Sequence, residues 1–259
     1  MTTPIAFITG ATAGIGKASA KLLAQKGWDL ILTGRRLPLL DAVAQEIQKE
    51  HPHISVLPLC FDVRDRRAVA QHIGNLSGQW RSVRLLINNA GLASGLDVFQ
   101  EADIDDWELM IDTNIKGLLY VSRLLVPLLI AAGHGSHIVN VGSIAGKEAY
   151  AKGHVYCATK FAVDGLTKAM RIDLLKHRIK VSSVSPGAVE TDFSIVRFKG
   201  DKERAAKVYE NYTPLTAQDV ADAIWYIVSQ PDHVYIQDVV MTPVAQANPY
   251  YWAKDNELL

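Results

Sequence analysis

Seven runs of valine, isoleucine and leucine recur along this chain without alternating with polar residues: "IAFITG", "WDLILTG", "ISVLPLCF", "VRLLINNAG", "SHIVNVGS", "KVSSVSPG" and "QDVVMTP". A strand with no polar face is buried on both faces, which requires a parallel sheet enclosed by two helical layers. Segments of helical period separate the runs. Helices are expected over about 14–26, 38–50, 65–80, a long region from Asp105 to Gly133, and about 155–177, 202–211 and 217–229. Repeated strand–helix–strand units specify an α/β fold, a doubly wound parallel sheet of seven strands with helices on both faces. No linker, repeat or low-complexity segment divides residues 1–259, so a single domain is expected.

Charge narrows the function classes. Lysine and arginine number 27 and aspartate and glutamate also 27. A balanced chain without a basic run argues against nucleic acid or an anionic membrane as partner. The N-terminus runs directly into "IAFITG" and carries no leader-like basic segment, so a cytoplasmic protein is expected. The most apolar stretch, Gly117 to Gly133, holds Arg123 and Pro127 and is short for a membrane span; it reads as a helix buried on most of its surface, partly by another subunit. Cys60 and Cys157 match no metal spacing and read as reduced thiols, and the eight histidines show no ligand pattern.

Chemistry concentrates at the ends of the runs. "TGATAGIG" places Gly10, Gly14 and Gly16 between the first strand and the first helix. A turn of this kind lets backbone approach a pyrophosphate, with the helix N-terminus supplying amide donors. The spacing is neither G-x-G-x-x-G nor a phosphate loop, because Gly16-Lys17 is followed by Ala18. The second strand ends in "LTGRR", where an NAD-binding chain would carry a carboxylate. Arg35 and Arg36 suit the 2′-phosphate of NADP instead, the alternative being that they are surface charges flanking a helix.

"VGS" ends the fifth run with Ser143, and "YCATK" puts Tyr156 and Lys160 four residues apart on one helical face. A phenol, with an ordinary pKa of ~10, serves as acid–base catalyst at neutral pH only if something favours the phenolate. A neighbouring ammonium does so. Ser143, at the carboxyl edge of the sheet, is placed to hydrogen-bond the same substrate oxygen.

Together, "TGATAGIG", "NNAG", Asn114 in "DTNIKG", Ser143, Y-x-x-x-K and "SPG" resemble the short-chain dehydrogenase/reductase family, in order and spacing, from residue 5 to about 245. The resemblance implies a Rossmann-type fold with Tyr156 as general acid/base, and Lys160 lowering its pKa and holding the nicotinamide ribose. Ser143 would orient the substrate oxygen, and Asn114 would anchor a water linking Lys160 to solvent. The glycine turn, with Gly10, Thr12, Ala13, Gly14, Ile15 and Gly16, would hold the pyrophosphate. Asp62 and Val63 would contact the adenine, and Asn89, Ala90 and Gly91 the adenosine-side ribose. Pro186, Gly187, Val189 and Thr191 would contact the nicotinamide. The family's other NADP device, a basic residue before the second glycine, is absent because Ala13 stands there, so the NADP assignment rests on Arg35 and Arg36.

"SPGAVETDFSIVRFKGD", with "GLASG", "GKEAYAKGHVY", "MIDTNIKGLLY" and "MTPVAQ", resembles the branch of NADP-dependent 3-hydroxy acid dehydrogenases acting on L-allo-threonine, serine and related short acids. That resemblance implies a substrate lid at about 188–215 and assembly as a homo-oligomer, a tetramer being favoured. A short hydroxy acid offers little apolar area, so its carboxylate must supply much of the binding, and Arg197 is the candidate ligand. Two partners remain open to Arg197: that carboxylate, or Asp192 or Asp201 within the lid. Lys199 either assists or is solvated. The alternatives for the whole chain are a reductase of 3-ketoacyl thioesters, sugars or bulky ketones, or a catalytically silent NADP-binding regulator. The tail from about residue 246 matches nothing in the branch and is assigned to a subunit contact.

Overall fold

The seven apolar runs pair as parallel strands in the order β3-β2-β1-β4-β5-β6-β7. The computed structural model describes residues 3–254. The strands are β1 (Ile5–Ile8), β2 (Asp29–Gly34), β3 (Val56–Cys60), β4 (Val83–Asn88), β5 (His137–Val141), β6 (Lys180–Pro186) and β7 (Asp238–Met241). Alternate strand residues feed two separate cores. Ala6, Ile8, Leu30, Leu32, Leu85 and Ile87 face α1 (Gly14–Gln25), α2 (Leu37–Glu50) and α9 (Ala217–Val228). Ile5, Phe7, Ile31, Leu86 and Ile138 face the opposite layer, with α3 (Arg66–Gly74) and α5 (Leu118–Ala132). Each such side chain is worth about 1.5–3 kcal/mol when withdrawn from water, so polar alternation is selected against in these runs.

The helices depart from the expected spans where the backbone gives a reason. The span expected from 65 to 80 is two pieces. Asp65 caps α3 by accepting from the amides of Arg67 and Ala68, and Gly78, at φ +56°, starts a separate 3-10 turn over Gly78–Arg81. The long region divides into α4 (Ile104–Ile111), a π-helical segment (Asp112–Gly117) and α5. The run Ile104–Ala132 meets the length and apolarity of a membrane span by composition alone. In this fold α5 packs one face on β4 and α3, while Ile111 and Leu119 stay exposed.

The catalytic-helix candidate α6 (His154–Asp173) stops short of His177. The lid has two short helices, α7 (Phe193–Arg197), which was not anticipated, and α8 (Lys202–Lys207), shorter than expected. The described part of the tail turns back on its own chain. Gln246 bridges to Trp252, the Trp252 ring lies 5.0 Å from that of Tyr212, and the Tyr250 hydroxyl donates to the Ala149 carbonyl.

Strand order reverses between β1 and β4, and both end at the same edge of the sheet. Ligands of doubly wound sheets bind in the crevice at such a point.

Candidate active site

At that edge opens a cleft of about 360 Å³, running from Arg35 and Arg36 at the end of β2 to Tyr156 and Pro186. Its floor is the glycine turn. Gly10 and Gly14 adopt φ of +67° and +51°, left-handed values that favour glycine. A Cβ on Gly16 would sit 2.4 Å from the Gly10 carbonyl oxygen, so only hydrogen fits there. Helix α1 then begins at Gly14 with no side-chain cap and no acid in its first turn. Its leading amides and positive dipole end therefore face the cleft without a competing anion. At the far end of β2, Arg36 Nη2 donates to Thr12 Oγ1 at 3.0 Å, and Arg35 lies 3.7 Å from Asp62 Oδ2. Amide donors in the middle and guanidinium groups at one end form a donor set that fits a dinucleotide bearing an extra phosphate.

Every residue expected to contact the cofactor lines this cleft except Gly16, which lies directly behind Gly10. Asn89 braces the floor: its side-chain amide donates to the carbonyls of Thr9 and Gly10 at 2.9 and 3.0 Å. Ser143, Tyr156 and Lys160 line the other end, all three buried. Asn114 stands one layer back, inside the π segment. Its side chain pairs with both backbone groups of Leu92 at 2.9 and 2.8 Å and donates to Thr159 Oγ1 at 3.0 Å. The extra residue per turn of a π segment lets one side chain tie the loop after β4 to α6.

Burial governs the titration of the reactive pair. It pushes the Lys160 ammonium down to about 8 and raises the Tyr156 phenol above its ordinary value. The neighbouring Tyr150 adds to the rise at Tyr156, while Ser143 and Arg197 oppose it. Lys160 Nζ donates to the Val141 carbonyl at 3.0 Å and lies 5.9 Å from the centre of the Tyr156 ring. The sequence pattern offered Lys160 as the cation acting on the phenol; the cation that lowers the phenol in the structure is Arg197, a lid residue left open between the substrate carboxylate and a lid aspartate.

Arg197 pairs with neither Asp192 nor Asp201, and Asp201 instead caps α8 through the Arg204 amide. Its guanidinium lies 5.5 Å from the ring centres of both Tyr150 and Tyr156, and Nη2 donates to the Tyr150 hydroxyl at 2.8 Å. Lys199 is ion-paired with Asp106 and, more loosely, Asp103. The sequence reading assigned no role to Tyr150, to Gln246 or to Phe193. Gln246 is buried and accepts from the Ala188 amide at 2.9 Å, shaping the turn after Pro186-Gly187. The Phe193 ring lies 5.7 Å from Tyr156 and closes the cleft from the lid side. Tyr150 and Gln246 fall inside "GKEAYAKGHVY" and "MTPVAQ", stretches whose resemblance was visible but whose chemistry had no local signal.

Comparison with known proteins agrees with this geometry. Residues 4–202 match the family model described as short chain dehydrogenase. An NADP-dependent 3-hydroxy acid dehydrogenase of Salmonella typhi is 44% identical over 244 residues, covering 94% of this chain and 96% of the relative. A sulfoacetaldehyde reductase of Chromohalobacter salexigens is also 44% identical over 244 residues, covering 94% and 95%. Among solved structures, the closed form of serine dehydrogenase complexed with NADP+ superposes with a TM-score of 0.89 at 40% identity, covering 95% of this chain and 97% of that one.

Proposed function

The chain belongs to the short-chain dehydrogenase family, and we propose that it catalyses the reversible NADP-dependent oxidation of short 3-hydroxy acids, of the L-allo-threonine, serine and 3-hydroxypropionate type, to 3-oxo acids. When bound, NADP supplies the hydride acceptor and donor at C4 of its nicotinamide. In the reducing direction the Tyr156 phenol gives its proton to the carbonyl oxygen, and in the oxidising direction it takes that proton back. The Ser143 hydroxyl hydrogen-bonds the same oxygen. Lys160, buried and fixed on the Val141 carbonyl, holds positive charge beneath the phenol and binds the ribose. Asn114 anchors the water that connects Lys160 to solvent. Arg36 and Arg35 receive the 2′-phosphate, the amides following Gly14 receive the pyrophosphate, and Pro186, Gly187, Val189 and Thr191 border the nicotinamide.

One observation carries the substrate class: a guanidinium is stacked 5.5 Å from the Tyr156 ring with no carboxylate partner among the described residues. A carboxylate one carbon away from the reacting centre meets that cation, and its fork of donors suits two oxygens. Arg197→Gln is expected to raise KM for 3-hydroxypropionate or serine by about 10- to 100-fold while shifting an uncharged secondary alcohol little. Equal loss on both would remove Arg197 from substrate binding.

A second reading is favoured by the equally similar sulfoacetaldehyde reductase. Malonic semialdehyde and sulfoacetaldehyde share the skeleton from aldehyde to methylene and differ only in the terminal anion, so one arginine serves either. An NADPH-linked reduction screen with both aldehydes, beside oxidation of serine and threonine stereoisomers, separates them. We place the protein in the cytoplasm as a homo-oligomer, a tetramer being favoured, without nucleic-acid or membrane partners. The balanced charge and the exposed Ile111 and Leu119 support that reading. Within one domain, residues 1–259, the lid spans about 188–215 and the tail starts near 246.

A further inference from the structure

Behind the cleft, three parts of the chain meet around one buried carboxylate. Asp106, on the first turn of α4, is 7% exposed. Its Oδ1 accepts from Ser94 Oγ at 2.7 Å, and Ser94 belongs to the loop after β4. Its Oδ2 lies 2.9 Å from Lys199 Nζ, at the end of α7, and the same ammonium lies 3.6 Å from Asp103 Oδ2. Beside this pair, loop and lid exchange two further bonds. The Gly95 amide donates to the Arg197 carbonyl at 3.0 Å, and Arg197 Nε donates to the Gly95 carbonyl at 3.4 Å.

Two left-handed residues stand beside the carboxylate. Lys199 holds φ +52°, a left-handed conformation that disfavours any residue with a Cβ. That conformation turns the lysine away from the course of α7 and delivers its ammonium to Asp106. Gly95 is also left-handed, at φ +72°, and a Cβ there would stand 3.0 Å from Asp106 Oδ2. The left-handed Lys199 closes α7, its amide donating to the Val196 carbonyl and the Gly200 amide to the Ile195 carbonyl, while the missing Cβ of Gly95 leaves room for the carboxylate. The Asp106 side chain is 11% exposed and that of Lys199 57%, so solvent shares the ammonium and the pair acts together with the two Gly95–Arg197 bonds to seat the end of the lid.

We propose that Asp106 and Lys199 are positioning residues of the reaction: their ion pair fastens residues 197–199 to α4 and the Ser94-Gly95 loop, and thereby holds the Arg197 guanidinium over Tyr156. The proposal rests on the reading of Arg197 as the ligand of the substrate anion. Neither residue touches the cleft, so the effect is on where Arg197 stands and not on the proton or the hydride.

The test combines kinetics with amide hydrogen exchange on the full-length enzyme. Asp106→Asn keeps the volume and the bond from Ser94, and Lys199→Met keeps an unbranched apolar stem while removing the ammonium. Each is expected to raise KM for 3-hydroxypropionate by about five- to tenfold with kcat changed less than about twofold, and the double variant to do no worse than either single one. Lys199→Arg is expected to restore most of the loss. In the Arg197→Gln background Asp106→Asn adds nothing. Exchange in peptides covering 92–98 and 193–201 is expected to quicken about fivefold in Asp106→Asn and Lys199→Met, with Tm little changed.

Unchanged exchange in both variants overturns the fastening. Faster exchange without a rise in KM overturns the positioning of Arg197, and so does a loss in kcat alone. Should Arg197→Gln affect charged and neutral substrates alike, the carboxylate reading falls by itself, and exchange at Gly95 still decides whether the ion pair holds the lid.

Discussion

Arg35 and Arg36 are adjacent in the chain but not equivalent in the cleft. Asp62 Oδ2 accepts from Arg64 at 2.9 and 2.7 Å, and although partial burial pushes the carboxyl up, Arg64 with its backbone amide holds it below its ordinary pKa. Arg35, 3.7 Å from the same oxygen, shares an anion already engaged. Among the described residues Arg36 bonds only to a neutral hydroxyl, Thr12 Oγ1, and its charge meets no carboxylate there. The two substitutions should therefore differ. Arg36→Gln is expected to raise the NADPH dissociation constant by about 10- to 50-fold, with Arg35→Gln costing several-fold less and NADH affinity little affected by either. Fluorescence titration of the free enzyme with each nucleotide measures this directly, and the reverse order would move the phosphate to Arg35.

Among the elements, the 3-10 turn after Ser143 and α6 meet backbone to backbone, which constrains the reactive helix. A Cβ on Gly146 would stand 2.5 Å from the Lys160 carbonyl oxygen and 2.7 Å from its carbon, both backbone atoms. Gly146→Ala must push α6 away from β5, carrying Tyr156 and Lys160 with it. The expected outcome is a loss of about 1–3 kcal/mol in stability and at least about tenfold in kcat/KM. Gly165, exposed on the same helix with nothing within 4 Å of its Cβ direction, is the control. Gly165→Ala should raise stability by about 0.5–1 kcal/mol and leave activity alone, as measured by Tm and initial rates. Strands β1, β2, β4 and β5 could be read from residue type, because burial on both faces favours apolar runs such as "IAFI" and "LIL"; β3 and the edge strand β7 are only partly covered, and β6 buries three serines, so that reason does not extend to them. The glycine turn and the Y-x-x-x-K pair were legible for a similar reason: their chemistry needs fixed residues at short spacing. The π segment was not, since "DTNIKG" continues the apolar period on both sides while adding a residue to the turn. Tyr150 and Gln246 were equally silent, because they bond partners 47 and 58 residues away and no local pattern records such contacts.

At the scale of the whole molecule, the sheet has a second polar centre at the edge opposite the cleft, and it ties global stability to pH. His137 opens β5 and pairs in register with Lys180, which opens β6. Its Nε2 lies 2.8 Å from Ser182 Oγ, and the Ser182 hydroxyl donates to the Ile236 carbonyl. With that proton committed to Ile236, Nε2 donates to the serine oxygen, which fixes the tautomer of the neutral ring. Burial, assisted by the Lys180 charge, pushes the imidazole from 6.5 down to about 3. Because the folded-state value is depressed, the unfolded chain takes up a proton below pH 6.5 that the folded chain refuses. The stability is therefore intact above about 6.5 and is lost as pH falls toward 3, with a slope approaching about 1.4 kcal/mol per pH unit from this one group. Paired carboxylates such as Asp62 and Asp164 add acid sensitivity only at lower pH, where they begin to protonate. His137→Gln retains a donor for Ser182 and removes the titration. It should cost about 1–2 kcal/mol at pH 7 and flatten the fall in stability between pH 6 and 4.5, so that the variant overtakes the parent in acid. Urea unfolding of both proteins at several pH values across that interval decides it: parallel slopes would mean that another group controls the acid limb.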